Sequence, residues 1–585
     1  MEATEQTFPS WGGAELFYRA WIPRKPANKA LLLFHRAHEH SGRWQETADS
    51  LGLDNIGIFA WDARGHGRSP GERGTANSLH DVIKDVDAFV RHISRRHSIG
   101  LENMIVLAHS LAAVTVTAWV HDYAPPIRAM ILATAAFHVK LYIPFAIASL
   151  RLFRPRFVKS YVKSRMLTHD KAQAALYDSD PLIFRQIAVN VLLDLHDTAK
   201  RLLADAGAIQ TPTLVIGADK DWVVSLKAQQ KFFHRLSSAE KRMHVIPNAH
   251  HAIFHEKDRR IVVDLVREFV FDCFSKPIMI PSLLDSDKSG YTWREYERIK
   301  NNGSAKFAIA RAGLKAAGRL SRGVELGWRN GFDSGLSLDY VYENTPRGVT
   351  ALGRLIDKSY LESIGWRGIR QRKAHLEKAL RDVIQKTHGE NRPIRILDIA
   401  AGAGRYVIET IRAMPEISIA ATLCDNKREN VDAARVLADE FDLNGQVVTR
   451  QGNAFDRSAL AAVQPRATIA IVSGLYELFP ANEPVLNSLR GLADAIEPGG
   501  YLIYTNQPWH PQLEFIAHVL RNREGERWIM RRRTTAEMDE LVRLAGFEKL
   551  EMEIDQWGMF TVSIARKVDR ALPRAMLNGG EAANR

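Results

Sequence analysis

The chain has 585 residues and 65.9 kDa, too long for one ordinary core, so two or three domains are expected at roughly 100–200 residues each. Its 46% hydrophobic and 25% charged content excludes a disordered chain, and its 2 cysteines, Cys273 and Cys424, exclude a disulfide framework or a multi-cysteine zinc site. Lys and Arg number 80 against 67 Asp and Glu, a net charge of +13 that suits an anionic partner, a phospholipid surface or nucleic acid, without choosing between them.

Glu2, Glu5 and Pro9 precede any apolar run, which is not the pattern of a signal peptide. The most apolar stretch, 130–150, is interrupted by His138, Lys140 and Pro144, so no spanning helix is expected. The scarcity of cysteine fits a reducing, cytoplasmic setting.

Along the chain, short β-rich runs alternate with helical patterns twice, which predicts two α/β domains. In the first, residues 30–35, 56–61, 104–108, 129–133 and 213–217 read as buried parallel strands. Residues 136–210 interrupt that series with helical pattern and no strand candidate, an insertion placed where a helical cap would sit. Within it, Leu152, Phe153, Phe157, Val158, Tyr161 and Val162 interleave with six cations, as in a lid resting on an anionic bilayer or a cap helix packed over a pocket. The first domain is expected over 1–275. A linker and helical segment, 276–390, follows, broken at Asn301-Asn302-Gly303 and carrying seven Lys or Arg and no acid over 298–322. The second α/β series spans 391–568, and 569–585 reads as a frayed tail.

Ala108-His109-Ser110-Leu111-Ala112 lies between a strand and a helical run, the context of a nucleophile elbow. Small residues two positions either side of Ser110 let strand and helix pack around a strained turn. Downstream, a strand leads into Asp219-Lys220-Asp221, and another short strand leads into Asn248-Ala249-His250-His251. The order Ser, Asp, His is that of α/β-hydrolases.

With His35-Arg36-Ala37-His38-Glu39-His40-Ser41-Gly42-Arg43-Trp44 and Asp62-Ala63-Arg64-Gly65-His66-Gly67-Arg68-Ser69, these motifs resemble the monoglyceride lipase and lysophospholipase group, of the serine aminopeptidase S33 type, over residues 10–272. The resemblance implies Ser110 as nucleophile, His251 as general base and Asp221 as its orienting acid. It implies the N–H groups of Ala37 and Leu111 as oxyanion donors. Where the group has small residues beside the oxyanion donor, this chain has Arg36 and His38, which would narrow the pocket or let Arg36 hold an anionic group of the substrate.

The second series opens on Ile394-Arg395-Ile396-Leu397-Asp398-Ile399-Ala400-Ala401-Gly402-Ala403-Gly404, a strand entering a Gly-rich turn. A second strand, 417–424, ends in Asp425, placed for ribose hydroxyls. Val407 stands where a dinucleotide site wants a third glycine. With Pro498-Gly499-Gly500 and a closing strand pair, 390–567 resembles class I S-adenosylmethionine-dependent methyltransferases. The resemblance implies Asp398, Ala400, Gly402 and Gly404 around the methionine and ribose, Asp425 on the ribose and Asn453 at the adenine. Ser473-Gly474-Leu475-Tyr476-Glu477 is not the segment of enzymes that methylate bases, so a nucleic-acid partner is not expected. Tyr476, Glu477, Asn506 and His510 follow strand ends, with His510 or Glu477 expected as base toward an acceptor hydroxyl.

As a whole the chain resembles bacterial fusions of a lipase-like hydrolase with a class I methyltransferase. The implied fold is an α/β-hydrolase with a helical cap, then a helical segment and a Rossmann-like methyltransferase fold. The implied activities are cleavage of a lysophospholipid- or monoacylglycerol-like acyl ester and methylation of a small molecule or lipid, in the cytoplasm with peripheral contact at the inner face of the membrane. The competing expectation is a disabled hydrolase that binds lipid or serves as a scaffold, with methyl transfer the only activity.

Overall fold

The computed structural model describes residues 2–24, 27–143, 145–278, 281–303 and 305–568. The expected tail, 569–585, and Met279 and Ile280 of the expected linker lie outside the described residues. The chain divides into two compact units, Met1–Pro281 and Ser282–Arg585.

The first unit is built on β1 (Thr4–Pro9), β2 (Glu15–Trp21), β3 (Ala30–Phe34), β4 (Gly57–Trp61), β5 (Met104–His109) and β6 (Ala129–Ala133). The inserted cap carries β7 (Phe157–Lys159) and β8 (Gln186–Ala188), and the sheet is completed by β9 (Thr213–Ala218) and β10 (Lys241–Ile246). Eight strands run in the order β1-β2-β4-β3-β5-β6-β9-β10. From β4 to β10 neighbours are parallel, whereas β2 joins β4 and β1 joins β2 antiparallel. The central strands are aliphatic on both faces and fully buried, as expected of a parallel sheet covered by helices. The α1 helix (Leu111–Tyr123) leaves β5 directly after Ser110.

The cap differs from its expectation. It does contain strands, since β7 and β8 pair antiparallel, Val158 against Ile187. Each is three residues long, too short to leave a periodic signal. The interleaved apolar run is not one helix either. The α2 helix (Ala146–Phe153) ends at Arg154, which adopts left-handed φ 44°, and Pro155, which has no N–H to donate, follows it. Leu152 and Phe153 are thereby left exposed, together with Tyr142, Ile143 and Phe145.

The second unit opens with a helix over Tyr291–Asn301, followed by α3 (Ala305–Ala317), α4 (Arg322–Asn330), α5 (Gly335–Glu343), α6 (Ala351–Leu361) and α7 (Ile364–Gly389). Ser321, Ser334 and Thr350 cap α4, α5 and α6 by accepting from backbone N–H groups of the first turn. The sheet consists of β11 (Ile394–Asp398), β12 (Ile419–Asp425), β13 (Val447–Gln451), β14 (Ala467–Val472), β15 (Ile496–Asn506), β16 (Phe547–Ile554) and β17 (Thr561–Lys567), and α8 (Arg405–Arg412) follows β11. Its order is β13-β12-β11-β14-β15-β17-β16, with β11 to β15 parallel and β17 inserted antiparallel between β15 and β16. Leu376, Leu380, Val383 and Ile384 of α7 pack onto one face of this sheet. Pro498-Gly499-Gly500 falls inside β15 rather than before it, next to an irregularity in its pairing with β14.

Candidate active site

In the first unit the carboxyl ends of the parallel strands present the functional side chains together. Ser110 sits between β5 and α1 at φ 60°, ψ −115°, a strained position that buried Ala108 and Ala112 on either side leave room for. Its N–H donates to the Ala133 carbonyl at 2.9 Å, which fixes the turn against β6. The Ser110 hydroxyl lies 2.8 Å from His251 Nε2, and His251 Nδ1 lies 2.8 Å from Asp221 Oδ2. All three are buried. Asp221 Oδ1 accepts from the N–H groups of Val223 and Val224 at 2.7 and 2.9 Å. Burial pushes the Asp221 carboxyl up, but His251 and these N–H groups outweigh it and hold its pKa below the usual value.

His250 stays outside this chain, stacking on His169 with ring centroids 3.7 Å apart; Asp219 is exposed. Glu256 holds the histidine loop, accepting from the N–H groups of His250 and His169 at 2.8 and 3.0 Å.

Ala37 lies after β3 in a turn closed by Glu39 N–H donating to the Arg36 carbonyl at 3.3 Å, with His38 at φ 70°. Among the described residues the Ala37 N–H has no acceptor, and that of Leu111 opens α1, where no intrahelical partner exists. The expected role of Arg36 toward a substrate anion is not what the structure presents. Its guanidinium donates to Glu39 at 2.7 Å and lies 5.0 Å from the Tyr177 ring centroid, so its charge is already compensated. Burial, and then the neighbouring Arg36, lower the His38 imidazole to about 4, and its ring packs edge-on against Phe184 of the cap. The space beside Ala37 and Leu111 is a small cavity of about 40 Å³ that Phe184 also lines. A larger cavity of about 620 Å³ lies along Phe137, Lys140, Tyr142, Leu192 and His196, where Lys140 Nζ donates to the Asp221 carbonyl at 2.6 Å.

In the second unit, β11 ends at Asp398, and the turn 400–404 carries Gly402 and Gly404 at φ 57° and 65°. A Cβ on Gly404 would come within 2.5 Å of Leu423, and one on Gly402 within 3.7 Å of the Gly335 backbone in α5. Asp425, at the end of β12, accepts from Gly402 N–H at 3.0 Å through one oxygen and from Lys427 N–H and Asn430 through the other. Asn453 follows β13, exposed, with its side-chain oxygen on Phe455 N–H at 3.0 Å. A strand end, a glycine turn opening a helix and an acid on the adjacent strand suit an adenosyl ligand. Asp398 departs from its expected place around the ligand. It is fully buried, with one oxygen on Ala400 N–H at 3.2 Å and the other on the Tyr406 hydroxyl. It therefore sets the turn from below. Burial raises it to about 7 against those two hydrogen bonds.

Of the expected acceptor-side residues, Tyr476 and Asn506 are engaged internally, with Ser488 and the Arg533 carbonyl. His510 is corrected as a base. Its Nδ1 accepts from Gln512 N–H at 3.1 Å and burial lowers it to about 4, so the neutral ring carries its proton on Nε2 and can only donate there. Glu477 remains, 3.5 Å from Arg372. The loop that bears it hangs on Arg533, whose guanidinium donates to the carbonyls of Tyr476, Phe479 and Ala481 at 2.7–2.8 Å. In the sequence the run Arg531-Arg532-Arg533 reads as solvated charge, yet all three side chains are buried.

Fold and sites define an α/β-hydrolase domain joined to a Rossmann-like methyltransferase domain. The family described as "Putative methyltransferase" matches residues 266–567, and the chain belongs to it; serine aminopeptidase, S33, matches residues 25–258. The uncharacterized protein YnbC of Escherichia coli (strain K12) is 45% identical over 97% of this chain and 98% of its own length. The first unit is also similar to the monoacylglycerol lipase of Mycolicibacterium smegmatis, 25% identical over 46% of this chain and 96% of that protein. The human monoglyceride lipase is 26% identical over 42% of this chain and 82% of that protein.

Proposed function

We propose that the chain is a bifunctional enzyme. Its domains would be a hydrolase over 1–275 and a methyltransferase over 391–568 with 276–390 as its helical cover. The first would be a serine hydrolase that cleaves an acyl ester of the monoacylglycerol or lysophospholipid kind, the second an S-adenosylmethionine-dependent methyltransferase acting on a small molecule or lipid.

The observation that carries the hydrolase reading is the buried chain Ser110–His251–Asp221 at 2.8 and 2.8 Å. In this reading Ser110 Oγ attacks the ester carbonyl while His251 Nε2 takes its proton. Asp221 keeps the imidazole in the required tautomer and stabilises its charged form. The oxyanion accepts from Ala37 and Leu111 N–H. His251 then passes the proton to the leaving alkoxide, and water releases the acyl group by the same steps. The names of the lipase relatives support the substrate class. Because only about 40 Å³ is open beside the oxyanion donors, Phe184 and the cap around it must shift to admit an acyl ester. The same closure favours the second reading, a disabled domain that serves as a scaffold, with methyl transfer the only activity. Hydrolysis of short p-nitrophenyl esters, lost in Ser110→Ala, separates the two; its absence in the wild type leaves the second.

When bound, S-adenosylmethionine supplies an electrophilic methyl group. Asp425 would accept from the ribose hydroxyls, Gly402 and Gly404 would let the ligand approach the backbone, Asn453 would face the adenine, and Asp398 and Ala400 would hold the turn. Calorimetric titration with S-adenosylmethionine tests this, and no binding would remove it. We place the protein in the cytoplasm on the strength of its 2 cysteines, and in peripheral contact with the inner face of the membrane on its +13 charge and exposed Phe145, Leu152 and Phe153 beside Arg151 and Arg154. No described helix is long and apolar enough to cross a membrane.

A further inference from the structure

A cavity of about 400 Å³ lies between the carboxyl ends of β14 and β15 and the helices that precede the sheet. Most of its wall is apolar, including Trp366, Ile369, Phe515, Leu520 and Trp528. The polar side chains gather around Phe560. The Arg372 guanidinium lies 5.3 Å from that ring and the His510 ring 6.1 Å, with Glu477 beside Arg372. Three donors in this wall, Arg372 Nε, Gln507 Nε2 and Trp528 Nε1, are buried and have no hydrogen-bond partner among the described residues. His510 adds a fourth through Nε2. Buried donors without acceptors are costly, and an oxygen-bearing head group would satisfy them while an apolar body fills the rest.

The helices that wall this cavity also carry the unit's most exposed aliphatic face. On α6, Ile356, Ser359 and Tyr360 line the cavity, while Leu352 and Leu355 point outward, 59% and 64% exposed, with Val349 just before the helix at 80%. On α3, Leu314 lines the cavity and Ile309 is exposed. Cations surround the face. Arg354 and Lys358 lie on α6 itself, and the turn holding Arg319 is tied to Val349 by Val349 N–H donating to the Leu320 carbonyl at 3.1 Å. All three are exposed and make no ion pair among the described residues. Protruding aliphatic side chains within a ring of uncompensated cations complement an anionic bilayer, which offers hydrocarbon beneath a negative surface. The phosphates of a nucleic acid would use the cations and leave the aliphatics in water.

We propose that this face docks on an anionic phospholipid membrane and that the cavity behind it receives the methyl acceptor from there, an amphiphile with an apolar body and an oxygen-bearing head. The substrate assignment rests on the methyl-transfer reading; the docking does not.

The test uses the full chain with an environment-sensitive fluorophore on Leu355→Cys. It is mixed with vesicles of equal parts phosphatidylglycerol and phosphatidylcholine, or of phosphatidylcholine alone, and acyl-chain-brominated lipid serves as quencher. Docking predicts a blue shift and quenching with the anionic vesicles. The triple variant Arg319→Glu, Arg354→Glu, Lys358→Glu should bind them at least about 100-fold more weakly, with S-adenosylmethionine affinity unchanged. Label from methyl-tritiated S-adenosylmethionine should enter the organic phase when the vesicles are made from a bacterial total lipid extract. S-adenosylmethionine binding without any response at position 355 would overturn the docking and leave the methyl-transfer reading standing. A response at 355 without S-adenosylmethionine binding would remove that reading and the substrate assignment with it. Label found only in water-soluble products, or a response at 355 to mixed-sequence RNA and not to vesicles, would also overturn the proposal.

Discussion

At Ser110 the backbone is held at positive φ so that its hydroxyl meets His251 above the sheet, and Asp221 completes the line. Replacing Asp221 with Asn should keep the geometry but favour the wrong imidazole tautomer, lowering ester hydrolysis by about 10³- to 10⁴-fold. Phe184, edge-on to His38, lines the space beside the proposed oxyanion donors Ala37 and Leu111, so Phe184→Ala should speed the proposed hydrolysis of bulky acyl esters by roughly 3- to 10-fold, about 1 kcal/mol of barrier. A fall in rate would mean that Phe184 holds the substrate. Asp398 makes a prediction in pH. Its carboxyl is raised to about 7, so the folded state holds that proton more tightly than the unfolded chain. Its contribution to stability is therefore whole at acid pH and is lost as pH rises through about 7. Asp398→Asn removes the loss. Denaturant melts should show the variant gaining on wild type by about 1–4 kcal/mol between pH 5 and pH 8, and a constant difference would contradict this.

At the scale of elements, the parallel strands were legible because buried strands are written as short aliphatic runs. Residues 129–133 were read without error, and β3, β4, β5 and β9 to within a residue. Ser110 and Asp221 follow such strands, β5 and β9, whereas β10 before His251 is a mixed Lys-Arg-Met-His-Val-Ile strand that is mostly unburied, so His251 was expected from the motif rather than from its strand. What escaped had no local signature. β1 is a mixed polar strand and β2 carries exposed Glu15 and half-buried Arg19 beside its buried residues, and β7 and β8 are made by pairing across the cap. The tautomer of His510 depends on Gln512 N–H, and the burial of Arg531–Arg533 on carbonyls brought together by the fold. Asp357 is a further case. It is fully buried in α6 and accepts from Ser321 Oγ, Gly323 N–H and Arg347 N–H at 2.5–2.9 Å, and from the Tyr340 hydroxyl. It thus ties together the turns behind the exposed aliphatic face. Asp357→Ala should cost about 2–4 kcal/mol in the second unit, and an unchanged melting curve would show that these turns are held by packing alone.

At the scale of the whole molecule, each unit has its own core and its own set of strand-end residues, so the two proposed activities should be separable by single substitutions. Asp425→Ala should weaken S-adenosylmethionine binding by about 10- to 100-fold while ester hydrolysis is retained, and Ser110→Ala should do the reverse. Loss of both activities in either variant would mean that the sites depend on one another. The most direct test of the hydrolase assignment is intact-mass analysis of wild type and Ser110→Ala after treatment with a fluorophosphonate, which reacts quickly only with a serine activated by its histidine. A single adduct on the wild type and none on Ser110→Ala is the predicted result. An unmodified wild type, or an adduct that persists in Ser110→Ala, would contradict it.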